Sequence, residues 1–325
     1  MSEASAVRAA ALGVGDVLAG LVAATGTVRY GYHADTGAPL SGQSTIRSVA
    51  AAWALAEAGQ IFERPDWIAA ADWALAGAVS IRGVARPEQA LCLTEADGRA
   101  TLGAAGLGVA AATVLGSEVW RARAEQLCRF VLEMRRRGGG FVMQIDAQSG
   151  APLPKRSAHY DGEALLGLAR LAGAGHVEAR EAAEAAAGHL ARRGHGVHDP
   201  SAWMVHALAA LAECGEATRH TAYASRIVAR IVAAPHYRKT GQTVSIALRL
   251  GALGAYLAAW GRADPTDAPP VRAIRNHAET DLSLLLASRL PDGAFMLAER
   301  DRRVRLDGLL HTLIALTALY RAETA

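Results

Sequence analysis

The feature that most constrains this chain is the rhythm of its connections. Apolar residues recur at three- and four-residue spacing in twelve segments: 5–24, 44–58, 65–79, 99–115, 118–137, 160–172, 177–193, 200–214, 216–233, 243–260, 271–289 and 303–322. The links are short at 58–65, 115–118, 172–177 and 214–216. The breaks ahead of the other helices tend to be longer, as in TGTVRYGYHADTGAPLSGQ, SIRGVARPEQALCLTEADG and GGGFVMQIDAQSGAPLPKRSAH, with briefer ones at 195–198 and 236–241. A helical hairpin of roughly 50 residues therefore recurs about six times across a single domain, residues 1–325. One hairpin cannot bury both its faces. Closing six into a ring gives an inner barrel of helices wrapped by an outer one.

Two kinds of helix fit the two layers. Segments 99–115 (RATLGAAGLGVAAATVL) and 243–260 are apolar nearly all round and rich in small residues, as inner helices must be. Segments 118–137 and 177–193 carry one charged face and suit the outside. The predicted inner helices start near residues 44, 99, 160, 200, 243 and 303. GGGFVMQIDAQSG alternates like a strand and ends in a turn signal, which predicts a small hairpin in a loop.

On the alternating helices and the LPDGAF and GGGF loop turns, the chain resembles the α/α toroid proteins: six-hairpin glycosidases, N-acylglucosamine 2-epimerase-type sugar epimerases and terpenoid-cyclase-like barrels. The resemblance spans essentially the whole chain. It implies an all-α (α/α)6 toroid with its loops, and its site, at one end.

Composition narrows the partners. Net charge is only +3, and the densest basic run is Arg135–Arg137, so nucleic acid is not an expected partner. The N-terminus lacks a basic region ahead of a long apolar core, and no segment reads as a membrane span. Cys92, Cys128 and Cys214 are far apart and form no CxxC pair, which fits a reducing compartment and a cytoplasmic location. P-loop, dinucleotide-binding, HExxH and GxSxG motifs are absent, as are the acidic terpenoid-cyclase signatures. His206, His311 and a carboxylate could hold a metal, but no spacing singles out a metal site, and neither metal nor cofactor is expected.

Polar residues gather where inner helices begin. If all the long loops lie at one end, these starts meet at one mouth, whose unpaired N–H groups would favour an anion or a polyol. RSAHYDGEALLGLARL places His159, Tyr160, Asp161 and Glu163 there, with Asp161 or Ser157 as the cap. VHDPSAWMVHALAAL reads Asp199 as an N-cap before Pro200, with Trp203 and His206 following on the same face. RRVRLDGLLHTLIALTAL sets Asp307 and His311 one turn apart, where a carboxylate can bond and orient an imidazole for acid–base work. Arg305 lies two residues earlier and projects differently. Arg47 and Arg249 sit in otherwise apolar helices and need a carboxylate, from protein or ligand. Tyr30, Tyr32, His33, Asp35, Glu95 and Asp97 occupy the long loops.

Aromatic residues are 5% of the chain, too few to grip a long polysaccharide, so the expected partner is a small molecule or a chain end. The expectation is acid–base chemistry on a small polar, anionic, sugar-like substrate by hydrolysis, elimination or epimerisation. Asp307, His311, Tyr160, Glu163 and His206 would be catalytic. Arg47, Arg249, Arg305, Asp161, Asp199, Trp203 and His159 would bind substrate. A cyclase or tailoring enzyme on a non-sugar metabolite and a non-catalytic helical interaction protein are the other readings. Oligomeric state is not readable.

Overall fold

The structure, a computed structural model, describes residues 3–215, 217–261 and 271–324. Among the described residues, twelve α-helices alternate between two layers. The outer helices are α1 (Glu3–Gly20), α3 (Pro65–Arg82), α5 (Glu118–Glu133), α7 (Val177–Arg192), α9 (Thr221–Ala233) and α11 (Val271–Leu286). The inner helices are α2 (Thr45–Ile61), α4 (Leu102–Leu115), α6 (Tyr160–Gly173), α8 (Ala202–Glu213), α10 (Thr243–Trp260) and α12 (Leu306–Thr324). Each inner helix packs on the next, and α12 packs back on α2, so the inner ring closes. This is the predicted (α/α)6 toroid.

Small residues allow the ring. A Cβ on Gly106 of α4 would lie 2.5 Å from both Ala164 Cα and Glu163 O of α6. A Cβ on Gly162 of α6 would lie 2.7 Å from Trp203 C and Met204 N of α8. Such backbone-to-backbone approach admits no side chain. Around these contacts α4 is buried almost throughout, whereas α5, α9 and α11 bury one face each. By length and composition α10 could cross a membrane, which the sequence reading had overlooked; here it is a core helix of the barrel, mostly buried.

Long links lie at one end, here called the front. Their short strands form three antiparallel pairs: β1 (Gly31–His33) with β6 (Arg303–Arg305), β2 (Gly83–Ala85) with β3 (Leu91–Leu93), and β4 (Arg99–Thr101) with β5 (Gln144–Asp146). Two of the pairs join different loops and tie the mouth together. The predicted 138–150 hairpin is present in short form: Ile145 bridges Pro152 across the turn at 146–150, with Asp146 N–H donating to Ala151 O and Leu153 N–H to Gln144 O, while the other edge of β5 pairs with the preceding long loop. The predicted inner-helix starts at 99 and 303 move inward to Leu102 and Leu306, because 99–101 and 303–305 are taken by cross-loop pairing, and the start at 200 moves to Ala202, with Ser201 at the cap position. The predicted start at Glu216 lies outside the described residues.

The back end carries the C-termini of the inner helices. Four of them are joined by a square of ion pairs. Arg170 of α6 donates to Glu57 of α2 at 2.6 Å and to Glu213 of α8 at 3.0 Å. Arg321 of α12 donates to the same two carboxylates at 3.2 and 2.6 Å. Each arginine also offsets the partial negative charge of its own helix end.

Gly106→Ala is expected to destabilise the fold by about 3 kcal/mol, because the methyl meets backbone that cannot yield. Gly20→Ala, which meets nothing within 4 Å at the end of α1, should be neutral or stabilising by at most about 1 kcal/mol. Urea unfolding of both variants checks this. Equal midpoints would remove the close-packing account.

Candidate functional site

The front ends of all six inner helices surround a cavity of about 640 Å³. Its floor and walls include Arg47, His159, Tyr160, Glu163, Trp203 and His311, with Asp307 on the α12 side. Seven of the twelve sequence-predicted site residues thus share one basin.

Several helix starts around it are already satisfied by protein. Glu95 accepts from the N–H groups of Thr45 and Ile46 at 3.0 and 3.2 Å, capping α2. Thr101 caps α4 through Ala104 N–H, and Ser157 accepts from His159 and Tyr160 at the start of α6. Thr243 N–H and Leu306 N–H donate to loop carbonyls. A ring of open N–H donors for an anion is therefore not what the mouth offers. Polarity comes from side chains.

Asp307 is the hub of the α12 side. Arg305 forms a two-pronged pair with it, Nε to Oδ1 at 3.0 Å and a second, shorter bond from its terminal nitrogen. Arg47 Nε lies 3.7 Å from Oδ2, and Gly308 N–H donates to Oδ1 at 3.1 Å. Both guanidiniums also lie over the Tyr30 ring, at 5.4 and 5.5 Å. Two expectations change here. Arg305 does not project away from Asp307, because β6 runs extended into the helix and returns its side chain. Asp307 does not hydrogen-bond His311; its oxygens serve the two arginines, and it acts on the imidazole through space.

Four titratable groups facing the cavity, His311, His159, Glu163 and Tyr160, are held neutral. His311 is lowered to about 4, chiefly by burial, with Asp307 opposing and His159 and Arg47 adding to the shift. Burial also lowers His159, helped by Arg249 and opposed by Asp199, and its Nδ1 is enclosed without a hydrogen-bond partner. Glu163, 5% exposed, is pushed up to about 8 by burial alone, and its Oε2 has no partner. Burial, with Glu163 and Glu95 nearby, raises the Tyr160 phenol. Trp203 stacks edgewise on His311 at 5.7 Å, giving the basin an aromatic floor. A neutral carboxylic acid and two neutral imidazoles in one cavity form an acid–base set ready at neutral pH.

Five predicted residues lie elsewhere or only near. His206 lines a separate cavity at the back, and Trp203 packs against both it and His311. The two imidazoles therefore do not converge, which also removes the metal pairing considered from sequence. Among the described residues no cluster of three or more metal-ligating side chains occurs. Asp161 turns outward to the α7–α8 loop, 3.4 Å from His195 Nε2, its pKa raised by burial. Asp199 is exposed and does not cap α8; Ser201 precedes the helix. Arg249 lies over Tyr237 at 5.6 Å, reaching the site only through its charge on His159. Arg305 backs the wall through Asp307. The cavity also includes Lys155, Thr101 and Gln144, which the sequence reading missed; they come from strands and loops whose pairing carries no helical spacing.

No protein-family model matches the chain, and no curated protein matches it in sequence. Solved structures do match in fold. D-mannose isomerase superposes with TM-score 0.73 at 10% identity, covering 99% of this chain and 98% of that one. Cellobiose 2-epimerase from Bacillus thermoamylovorans gives 0.67 at 11% identity, with 93% of each chain covered. An unsaturated glucuronyl hydrolase specific for heparin gives 0.67 at 12% identity, covering 99% and 98%. These likenesses establish the six-hairpin α/α toroid fold.

Glu163 makes stability depend on pH. Its folded pKa, about 8, stands above the ordinary 4.5. The contribution of the protonated acid is therefore complete below about 4.5, falls as the unfolded chain ionises, and levels off above about 8. Relative to wild type, Glu163→Gln should gain stability with rising pH at about 1.4 kcal/mol per unit across that window. Urea unfolding of both proteins at pH 5, 7 and 9 measures it; parallel curves would show that Glu163 is not held neutral.

Proposed function

We propose that this chain is a carbohydrate-active enzyme that moves protons beside the carbonyl of a small sugar, by aldose–ketose isomerisation or epimerisation. The observation that carries the reading is the set of neutral groups at the cavity: His311, His159 and the protonated Glu163. The isomerase, epimerase and hydrolase among the fold relatives support a sugar substrate in general terms.

Hydrolysis fits less well. It ordinarily needs two carboxyl groups facing one bond, with one ionised. Four acidic side chains line the cavity. Glu95 caps α2, Asp97 pairs with Arg99, and Asp307 is held by two arginines. Only Glu163 remains, and it is neutral. Proton transfer needs no ionised carboxylate. A neutral imidazole removes the proton from the carbon beside the carbonyl. The imidazolium formed at His311 is favoured by Asp307 through space. Glu163 passes its proton to the oxygen on which charge develops and recovers one from the neighbouring hydroxyl, while the His311 imidazolium returns its proton to carbon, so both groups are restored; neutral His159 accepts a hydrogen bond from the sugar. Trp203 gives the sugar's C–H face a surface to lie on.

Charge sets the substrate class. Arg47 and Arg305 balance one carboxylate, Asp307, so one positive charge remains on that wall. It suits a neutral sugar or one with a single acidic group. The three thiols Cys92, Cys128 and Cys214 are unbridged, which supports a reducing, cytoplasmic setting.

The test is incubation with mannose, glucose, fructose and a uronate in deuterated water, read by proton NMR. Deuterium should enter at the carbon beside the carbonyl as the isomer or epimer forms. His311→Gln should slow this by about 10²–10⁴-fold, and Glu163→Gln, which keeps a donor, by less. Cleavage of a glycoside without carbon-bound exchange would replace this reading with hydrolysis.

A further inference from the structure

We propose that the back end of the barrel holds a second ligand site, separate from the front cavity, that takes a small neutral polyhydroxy compound. The site is a cavity of about 50 Å³ between the C-terminal halves of α2, α6, α8, α10 and α12. That exceeds the roughly 10–15 Å³ one water needs and leaves room for a few heavy atoms. The Trp53 and Trp203 rings, 5.6 Å apart, pack against each other and against His206 near the barrel axis, and only Trp203 lines the front cavity.

Its lining is built with unmet hydrogen-bonding capacity. Trp53 is 3% exposed and its indole N–H has no partner; Thr317 is 4% exposed and its hydroxyl has none. Arg170 satisfies both terminal nitrogens in the ion-pair square, yet its buried Nε–H is unpartnered. A buried donor without an acceptor costs about 1–3 kcal/mol. Three unpartnered groups on one small cavity ask for an occupant. Burial, with Arg170, His311 and Arg321 nearby, lowers His206 to about 3, so the imidazole is neutral and keeps one accepting nitrogen.

The chemistry selects the ligand. Two groups only donate, one hydroxyl does either, and the imidazole supplies an acceptor. Hydroxyl groups, which donate and accept, match that set. The square carries two positive and two negative charges, so the site has no net pull on an ion, and the carboxylates of Glu57 and Glu213 oppose an anion. Between the polar groups the wall is Ala255 and Ile314, suited to carbon-bound hydrogens. The site is independent of the chemistry assigned to the front.

The test follows the Trp53 indole N–H signal of the full chain by NMR, assigned through Trp53→Phe, during titration with ethylene glycol and, separately, acetate. Ethylene glycol, with four heavy atoms, should shift that signal saturably. His311→Ala, which removes a side chain that lines the front cavity and not the back one, should leave the dissociation constant within about twofold. Thr317→Val should weaken binding by about tenfold or more, the value of one hydrogen bond, and Thr317→Ser should restore it. A drift that never saturates means the cavity holds water alone and overturns the proposal. Saturation by acetate but not ethylene glycol overturns it, as does binding lost in His311→Ala and indifferent to Thr317→Val.

Discussion

Direct backbone contact between neighbouring inner helices is the constraint on which the rest depends. Where α4 meets α6 and α6 meets α8, glycines remove the side chains that would hold the helices apart. The ring is then narrow enough for six helices to direct side chains at one axis. Closure fixes which residues meet, since Arg47 of α2 and Asp307 of α12, 260 positions apart in sequence, become neighbours only when the last hairpin packs on the first.

Along that axis four of the inner helices contribute a stripe of polar and aromatic residues, and depth decides its chemistry. On α2 the stripe runs Arg47, Trp53, Glu57; on α6, Glu163 then Arg170; on α8, Trp203, His206, Glu213; on α12, His311, Thr317, Arg321. The front portions line the large cavity, aromatic rings occupy the middle, and the back portions form the ion-pair square. The square is more than four surface pairs. Each charge touches two partners, so one ordered side chain serves two bonds. The C-termini of four inner helices are thereby held at one spacing.

Desolvation, more than pairing, tunes the front cavity. The largest influence on His311, His159 and Glu163 is burial, which pushes imidazoles down and the carboxyl up until all three are neutral near pH 7. Asp307 is the contrast. Its two arginines keep it an ion pair, so it supplies field and not a proton. Two acidic residues at equivalent helix starts thus take different roles because one has cationic neighbours and the other has none.

Much of this was legible in the sequence. Helical periodicity and alternating short and long links determined the twelve helices, their two layers and the end where the loops collect, because these depend on local spacing and on which faces can be buried. The same spacing placed Glu163, Trp203 and His311 on inward stripes. Depth along the axis was not legible: His206 shares a stripe with Trp203, yet lies one turn deeper, past the aromatic layer. Direction at helix starts was not legible either, since cross-loop strand pairing turned Arg305 back onto Asp307 and the α7–α8 loop drew Asp161 outward. Local sequence determined which segments are helices and which faces they bury; only tertiary packing decided which polar ends share a cavity, because that depends on how far each helix slides along its neighbours and where distant loops pair.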